Sequence, residues 1–128
     1  MAEMTIKKRP KNLDLTTIKL PLPGKVSILH RVSGAGLFIC LPVILWLFSA
    51  SLSSAETYAT FKSVFASLPV KVVLAGLIWA YLHHFCAGVR FLLLDLHIGI
   101  DEETANKSAV GVLAVSIPLT LIFWGVLL

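Results

Sequence analysis

Three long stretches of the chain contain no Asp, Glu, Lys or Arg, and they constrain the fold more than any other feature. They cover residues 32–52, 72–89 and 108–128, about 18 to 21 residues each. At 1.5 Å per residue, a helix of about 20 residues crosses the roughly 30 Å hydrocarbon core of a bilayer. The sequence therefore predicts an all-α integral membrane protein with three transmembrane helices.

The composition and the placement of charge agree with this prediction. Of the 128 residues, 57% are hydrophobic and 14% are charged, with a mean hydropathy of +0.88. A water-soluble domain of this size needs more polar surface. The net charge of +4 does not indicate nucleic-acid binding, because most basic residues precede the first span. These seven of the eleven are Lys7, Lys8, Arg9, Lys11, Lys19, Lys25 and Arg31.

The basic N-terminal segment also predicts the orientation. Basic segments stay on the cytoplasmic side, so the N-terminus is expected in the cytoplasm and, after three spans, the C-terminus in the periplasm. We expect no cleavable signal peptide, since the apolar segment is too long for one and lies far from Lys7. There is also no long Arg- and Ser-rich presequence. A bacterial cytoplasmic (inner) membrane is therefore the expected location.

Proline and glycine divide the chain into an arm and a membrane domain. Residues 1–24 are polar and basic and contain helix breakers, so we expect an extended cytoplasmic arm there. Residues 25–128 form a single membrane domain. Its helices are predicted at about 25–52, 63–96 and 102–128. Three helices that carry buried polar groups make a thin bundle, which we expect partner helices to complete.

Local signals refine the ends of these helices. Ser53 or Ser54, in the predicted loop after the first span, is a candidate cap for a short amphipathic lead-in to the second. Pro69 either kinks the second helix or marks its true start. Asp101 is a candidate cap for the third helix. Near the start of the first span, Gly34 would permit a close approach between helices.

The second span contains two adjacent histidines, His83 and His84. A histidine inside a membrane is costly and indicates a function, although one hydrogen-bonded to a neighbouring helix would look the same. Helical spacing places His84, Gly88 and Asp95 on one face, with His83 about 100° away. A histidine one turn from a glycine leaves room for a flat macrocycle, as an axial haem ligand requires. The spacing to Gly88 favours His84 without excluding His83.

The first span offers a matching polar group. Ser27 and Arg31 share a face, His30 stands beside Ser27, and Arg90 of the second span is expected at the same cytoplasmic end. His30 and Arg31 are candidates for charge-assisted hydrogen bonds to haem propionates. The alternative for Arg31 and Arg90 is that they extend to lipid headgroups.

Several of these segments together resemble a known family. They are "RPKNLDL" (9–15), "LP" (20–21), "SILHRVSG" (27–34) and "HFCAGVRFLLLD" (84–95). They resemble the cytochrome b membrane-anchor subunit of bacterial succinate dehydrogenase. The Ser-x-x-His-Arg-x-Ser-Gly block followed by His-x3-Gly-x-Arg is specific, whereas either motif alone would be weak. The resemblance covers residues 9–95 and extends loosely over the third helix.

The resemblance implies one half of a two-subunit anchor that binds one haem b and ubiquinone. By this similarity His84 is the axial ligand, and the partner anchor subunit supplies the second histidine. His30 and Arg31 would approach the propionates, and Ser27 and Arg31 would line the ubiquinone pocket. A hydroxyl and a guanidinium suit quinone carbonyl oxygens, which gain negative charge on reduction. Asp95, near the aqueous face, is a candidate for proton delivery, although an ordinary helix-end carboxylate looks the same.

The function expected from this resemblance is that of a subunit of succinate:quinone oxidoreductase. Electrons would pass from succinate through a flavoprotein and an iron–sulfur subunit to quinone, and this chain would not oxidise succinate itself. Many relatives carry a histidine where this chain has Phe91, which alters the polar contacts expected near the haem. The alternatives are a haem-free structural anchor and the anchor of a fumarate reductase. A small transporter subunit is disfavoured, because no Asp or Glu lies mid-span.

Overall fold

The computed structural model describes Asp14 and residues 17–127, so most of the predicted N-terminal arm (1–13, 15 and 16) and Leu128 lie outside the described residues. The described chain forms four helices and no strand. They are α1 (Leu22–Ser53), α2 (Ala55–Ala66), α3 (Leu68–Asp95) and α4 (Glu102–Leu127). Helices α1, α3 and α4 are long and apolar enough to cross a membrane. The predicted all-α fold with three spans is confirmed, with α2 as a separate short helix.

Helix α1 begins at Leu22, three residues earlier than predicted. Pro21 is the N-cap residue and Pro23 lies in the first turn. The first N–H groups of a helix have no partner within it, so the missing N–H of Pro23 costs nothing there, and the fixed φ of proline suits the helix. Pro23, one of the helix breakers expected within residues 1–24, therefore helps to start the helix. At 32 residues, α1 is about 48 Å long and exceeds the bilayer core.

The predicted loop after the first span is reduced to Ser54, which connects α1 to α2. Its side chain accepts a hydrogen bond from the Thr57 N–H at 3.1 Å, and its own N–H donates to Thr57 Oγ1 at 3.0 Å. This capping box starts α2 and confirms Ser54 as a cap. Pro69 lies in the first turn of α3, which begins at Leu68. It therefore marks the true start of this helix and does not kink it.

A tight turn joins α3 to α4 and is closed by Asp101. His97 (φ 61°) and Gly99 (φ 73°) adopt the left-handed conformation that ends α3. The Thr104 N–H donates to Asp101 Oδ2 at 2.9 Å, which confirms Asp101 as the cap of α4. This main-chain hydrogen bond, together with one from the Thr104 hydroxyl, lowers the pKa of the Asp101 carboxyl.

Helices α1 and α3 each contact the other three helices. The buried apolar core is small and lies where α1 begins, α3 ends and α4 begins, which we call the N-terminal end of the bundle. It consists of Val26, Ala87, Ala109 and Val112. Most large apolar side chains elsewhere are exposed, and Phe38 and Val126 are each 76% exposed. Such a surface suits lipid or partner helices rather than water.

Candidate functional site

His84 of α3 faces α1 and is held there through one ring nitrogen. His84 Nδ1 lies 2.9 Å from the main-chain oxygen of His30 and 3.3 Å from Ser33 Oγ. Ser33 Oγ itself donates to the same oxygen at 2.9 Å. Because a carbonyl oxygen only accepts, the contact assigns the proton of the His84 ring to Nδ1 and leaves a lone pair on Nε2.

His84 Nε2 is available to a group outside the described chain. It forms no hydrogen bond with a described residue and is not among the buried polar atoms that lack a partner. A histidine that donates from Nδ1 to a carbonyl is held in the tautomer and ring orientation typical of a metal ligand binding through Nε2. The geometry at His84 is therefore compatible with metal binding through Nε2.

Gly34 is what allows α1 to approach His84 so closely. A Cβ atom at this position would lie 2.6 Å from His84 Cε1 and 3.1 Å from Nδ1. Gly88, which the spacing argument singled out, is less restricted, since a Cβ there would meet only His30 Nε2 at 3.6 Å. The glycine whose position has no room for a Cβ atom is therefore Gly34 on α1, not Gly88 on α3. Its signal in the sequence is the Ser-Gly pair that closes the "SILHRVSG" block.

The His30 ring lies between two other rings at this site. It stacks on the His84 imidazole with ring centroids 4.1 Å apart and planes 5° from parallel. On its other side, the Phe91 ring is 5.1 Å away and tilted by 54°. The structure therefore brings together His30 and His84, the two histidines that sequence reasoning assigned to one site, and places an apolar wall at Phe91.

The other predicted site residues lie towards the same end of the bundle. Ser27 is half-buried and Arg31 is exposed, one helical turn apart on α1. Neither side chain forms a hydrogen bond with a described residue. Asp95 is the last residue of α3 and is exposed. Their polar atoms are available to a group bound against this end of the bundle.

His83 occupies a different environment from its neighbour. It is 0% exposed, and neither ring nitrogen has a hydrogen-bond partner among the described residues. Its ring packs beside Trp79, with centroids 5.2 Å apart. In this packing His83 is closed to groups outside the chain, whereas His84 is partly exposed.

Arg90 is held against α4 and is not the freely extended side chain that one alternative proposed. The side chain is 6% exposed, Nε donates to Ser108 Oγ at 2.9 Å, and Nη2 donates to the Ala105 carbonyl at 3.1 Å. These bonds tie α3 to α4. Sequence reasoning placed Arg90 at the correct end but missed this link, because Ser108 carries no distinctive signal.

The donor set at the site limits the kind of metal centre it suits. Nowhere in the described part of the chain do three or more His, Cys, Asp and Glu side chains gather to hold a metal ion. The site offers imidazole nitrogens from two stacked histidines, His84 and His30, rather than a cluster of ligands. This fits a metal whose remaining ligands come from a macrocycle and from another chain, as haem iron with two axial histidines would have.

Comparison with known proteins gives one consistent family. The profile of the succinate dehydrogenase/fumarate reductase transmembrane subunit family matches residues 5–123. The chain is 31% identical over 122 residues to the succinate dehydrogenase cytochrome b556 subunit of Paracoccus denitrificans, covering 95% of this chain and 94% of the relative. It is 36% identical over 110 residues to the subunit of that name from Coxiella burnetii, covering 85% and 88%.

A third relative extends the agreement. The succinate dehydrogenase cytochrome b556 subunit of Rickettsia felis is 30% identical over 117 residues, covering 91% of each chain. The family profile covers α1, α3, both polar motifs and most of α4. The resemblance drawn from those motifs is confirmed, and the chain belongs to the succinate dehydrogenase/fumarate reductase transmembrane subunit family.

Proposed function

We propose that this chain is the cytochrome b anchor subunit of a succinate dehydrogenase, sharing one haem b with a second anchor subunit and forming part of a ubiquinone pocket. The observation that carries the proposal is the hydrogen bond from His84 Nδ1 to the His30 carbonyl, which leaves Nε2 free. The relatives are named cytochrome b556 subunits, which supports haem as the group bound here.

His84 Nε2 would be one axial ligand of the haem iron, and a histidine of the second anchor subunit the other. When bound, the haem supplies a one-electron redox centre in the membrane. His30 and Arg31 would hold the propionates through charge-assisted hydrogen bonds. Gly34 and the His30 carbonyl keep the His84 ring oriented, so α1 would support haem binding by holding His84 in place.

Ser27 and Arg31 would bind the quinone. The Ser27 hydroxyl and the Arg31 guanidinium donate hydrogen bonds to quinone carbonyl oxygens, and these bonds strengthen as the oxygens gain negative charge. Reduction of a quinone to a quinol takes two electrons, delivered from succinate through the flavoprotein and iron–sulfur subunits, and two protons. Asp95, exposed at the end of α3, is a candidate to pass protons from the aqueous side.

The proposed setting is the bacterial inner membrane, with the N-terminus cytoplasmic and the C-terminus periplasmic. The concentration of basic residues before the first span supports this orientation. The flavoprotein and iron–sulfur subunits would attach on the cytoplasmic side, and the second anchor subunit would cover part of the exposed apolar surface. Succinate itself would be oxidised on the other subunits.

Deletion of the chain tests this function. We expect membranes from the deletion strain to lose succinate-dependent ubiquinone reduction, because both the anchor and part of the quinone pocket are gone. Succinate oxidation with an artificial dye should persist in the soluble fraction, where the other subunits are released. Unchanged succinate-dependent ubiquinone reduction in the deletion strain would contradict the proposal, and restoration by the plasmid-borne chain is the control.

A further inference from the structure

A groove of about 290 Å³ lies between α3 and α4, away from the His84 site. Arg90 and Ser108 line it at the N-terminal end of the bundle, and Phe85 and Val115 line it nearer the middle of the membrane. From residue 85 to residue 93, α3 rises about 12 Å, which is the length of the groove along the helix. Apart from Arg90 and Ser108 its walls are almost wholly apolar.

Arg90 brings a positive charge to this groove that has no counterion in the described chain. The side chain is 6% exposed, yet no ion pair joins it to an acidic side chain of a described residue. Ser108 Oγ and the Ala105 carbonyl accept two of its five N–H donors. A buried guanidinium that still has N–H donors without a partner in the described chain favours binding of an anion from outside the chain.

The depth of Arg90 identifies the kind of anion. Asp95, the last residue of α3, lies five positions further on, so the backbone of Arg90 is about 8 Å from the helix end and close to the headgroup region. A phospholipid has an anionic phosphate at this depth and an acyl chain that extends towards the membrane centre. The position of Arg90 beside the apolar groove therefore suits a phospholipid. Phosphate oxygens also fit the planar donor set of arginine.

We propose that the α3–α4 groove binds an anionic phospholipid, with its phosphate on Arg90 and one acyl chain along the groove. Ser108 orients the guanidinium, since its hydroxyl accepts from Arg90 Nε and donates to the Ala105 carbonyl at 3.1 Å. The apolar wall from Val89 to Phe85 packs against the acyl chain. This site is independent of the haem and quinone proposals, because it uses none of their residues.

Two glycines on α4 provide a matched test. Gly111 lines the groove, and a Cβ atom there would meet nothing within 4 Å, so Gly111→Leu is expected to place its side chain in the groove. Gly125 also has open space around it but does not line the groove, so Gly125→Leu is the control. Both changes add the same side chain to the same helix.

The experiment uses the whole purified complex. It is stripped with detergent and reconstituted in nanodiscs of equal parts phosphatidylglycerol and phosphatidylcholine. After re-extraction the retained lipids are counted by native mass spectrometry. We expect wild type and Gly125→Leu to retain phosphatidylglycerol over phosphatidylcholine by roughly tenfold, the effect of one charge-assisted phosphate contact. Gly111→Leu should reduce the retained phosphatidylglycerol by about tenfold, because the acyl chain is excluded.

Three results would overturn the proposal. They are equal retention of both lipids by wild type, unchanged phosphatidylglycerol in Gly111→Leu, and loss of the second anchor subunit from Gly111→Leu but not from Gly125→Leu. The third result would show that a protein segment fills the groove. The experiment measures bound lipid and neither haem nor quinone. A negative result for the lipid site therefore does not contradict the haem and quinone proposals, and a negative result for those proposals does not contradict the lipid site.

Discussion

The main-chain oxygen of His30 accepts a hydrogen bond from His84 Nδ1 at 2.9 Å, so a residue of α1 sets the tautomer of a histidine on α3. Gly34, one turn further along α1, makes this approach possible. The "SILHRVSG" block therefore acts partly through its backbone. Its serine and glycine orient the histidine of the second motif, which explains why the two motifs are informative together.

The first prediction concerns the space at Gly34. Gly34→Ala would place Cβ 2.6 Å from His84 Cε1, so the ring must move and lose its hydrogen bond to His30. Loss of such an orienting partner typically costs 10–100-fold in metal affinity. We expect the haem content of the purified complex to fall, measured as haem b per flavin.

The control for Gly34→Ala is Gly36→Ala, two residues along the same helix. A Cβ atom at Gly36 meets nothing within 4 Å, and alanine stabilises a helix by about 0.5–1 kcal/mol relative to glycine. Gly36→Ala should therefore retain its haem and unfold at the same or a slightly higher temperature. Equal haem content in both variants would contradict the role assigned to Gly34.

The second prediction separates quinone binding from succinate oxidation. Ser27→Ala and Arg31→Ala each remove a donor to a quinone oxygen, and a hydrogen bond to a charged group contributes roughly 1.5–3 kcal/mol, about 10–100-fold in rate. We expect ubiquinone reduction to fall by this factor while succinate oxidation with an artificial dye is retained. Ser51→Ala, which changes an exposed hydroxyl on the same helix, should alter neither rate. Equal loss of both activities would count against a quinone site.

The third prediction concerns the link between α3 and α4. Ser108→Ala removes the acceptor of Arg90 Nε, and interhelical hydrogen bonds in membranes contribute about 1 kcal/mol. We expect a lower thermal unfolding midpoint for the complex, with the haem spectrum unchanged. Ser53→Ala, whose hydroxyl bonds only within α1 to the Ser49 carbonyl, is the comparison. A midpoint lowered equally by both changes would argue against the link.

The fourth prediction is a pH dependence at the start of α4. The Thr104 hydrogen bonds hold the pKa of Asp101 below its ordinary value of about 3.9, so the charged form is favoured in the folded state. The stabilisation is present above about pH 4 and is lost as the pH falls through the lowered folded value. Hydrogen exchange at the Thr104 amide should accordingly lose protection as the medium becomes acidic below pH 4.

Asp101→Asn isolates this effect, because asparagine caps a helix about as well as aspartate but does not titrate. In this variant the protection of the Thr104 amide should stay level across the same acidic range, after correction for the intrinsic exchange rate. Glu102→Gln, in the first turn of α4, should behave as wild type. The same loss of protection in Asp101→Asn as in wild type would contradict the assignment.

Features that depend on a few neighbouring residues were predictable from the sequence. The caps at Ser54 and Asp101 follow from local hydrogen bonds, and the spans follow from the absence of charge over 18 or more residues. The spacing from His84 to Gly88 selected the histidine that the structure leaves reachable. The caps and the His84–Gly88 spacing depend on residues within one or two helical turns, and each span depends on the composition of one continuous segment.

Features that depend on which faces of two helices pack together were not predictable. The contact of His84 with the His30 carbonyl requires a particular face of α1 to meet α3, and no periodicity specifies that. Arg90 was equally consistent with reaching the headgroups or bonding to α4, because its partner Ser108 is an ordinary residue. The position of Pro23 was not predictable for another reason. Proline is compatible both with the first turn of a helix and with the segment before it, so the sequence did not decide between them.

The measurement that tests the account most directly is a dithionite-reduced minus oxidised visible spectrum of the purified complex from wild type, His84→Ala and His83→Ala. Wild type should show a low-spin b-type band. This band should be lost or altered in His84→Ala and largely intact in His83→Ala, whose histidine is fully buried. The reverse pattern would contradict the ligand assignment, and the absence of a haem band from an intact wild-type complex would leave a haem-free anchor.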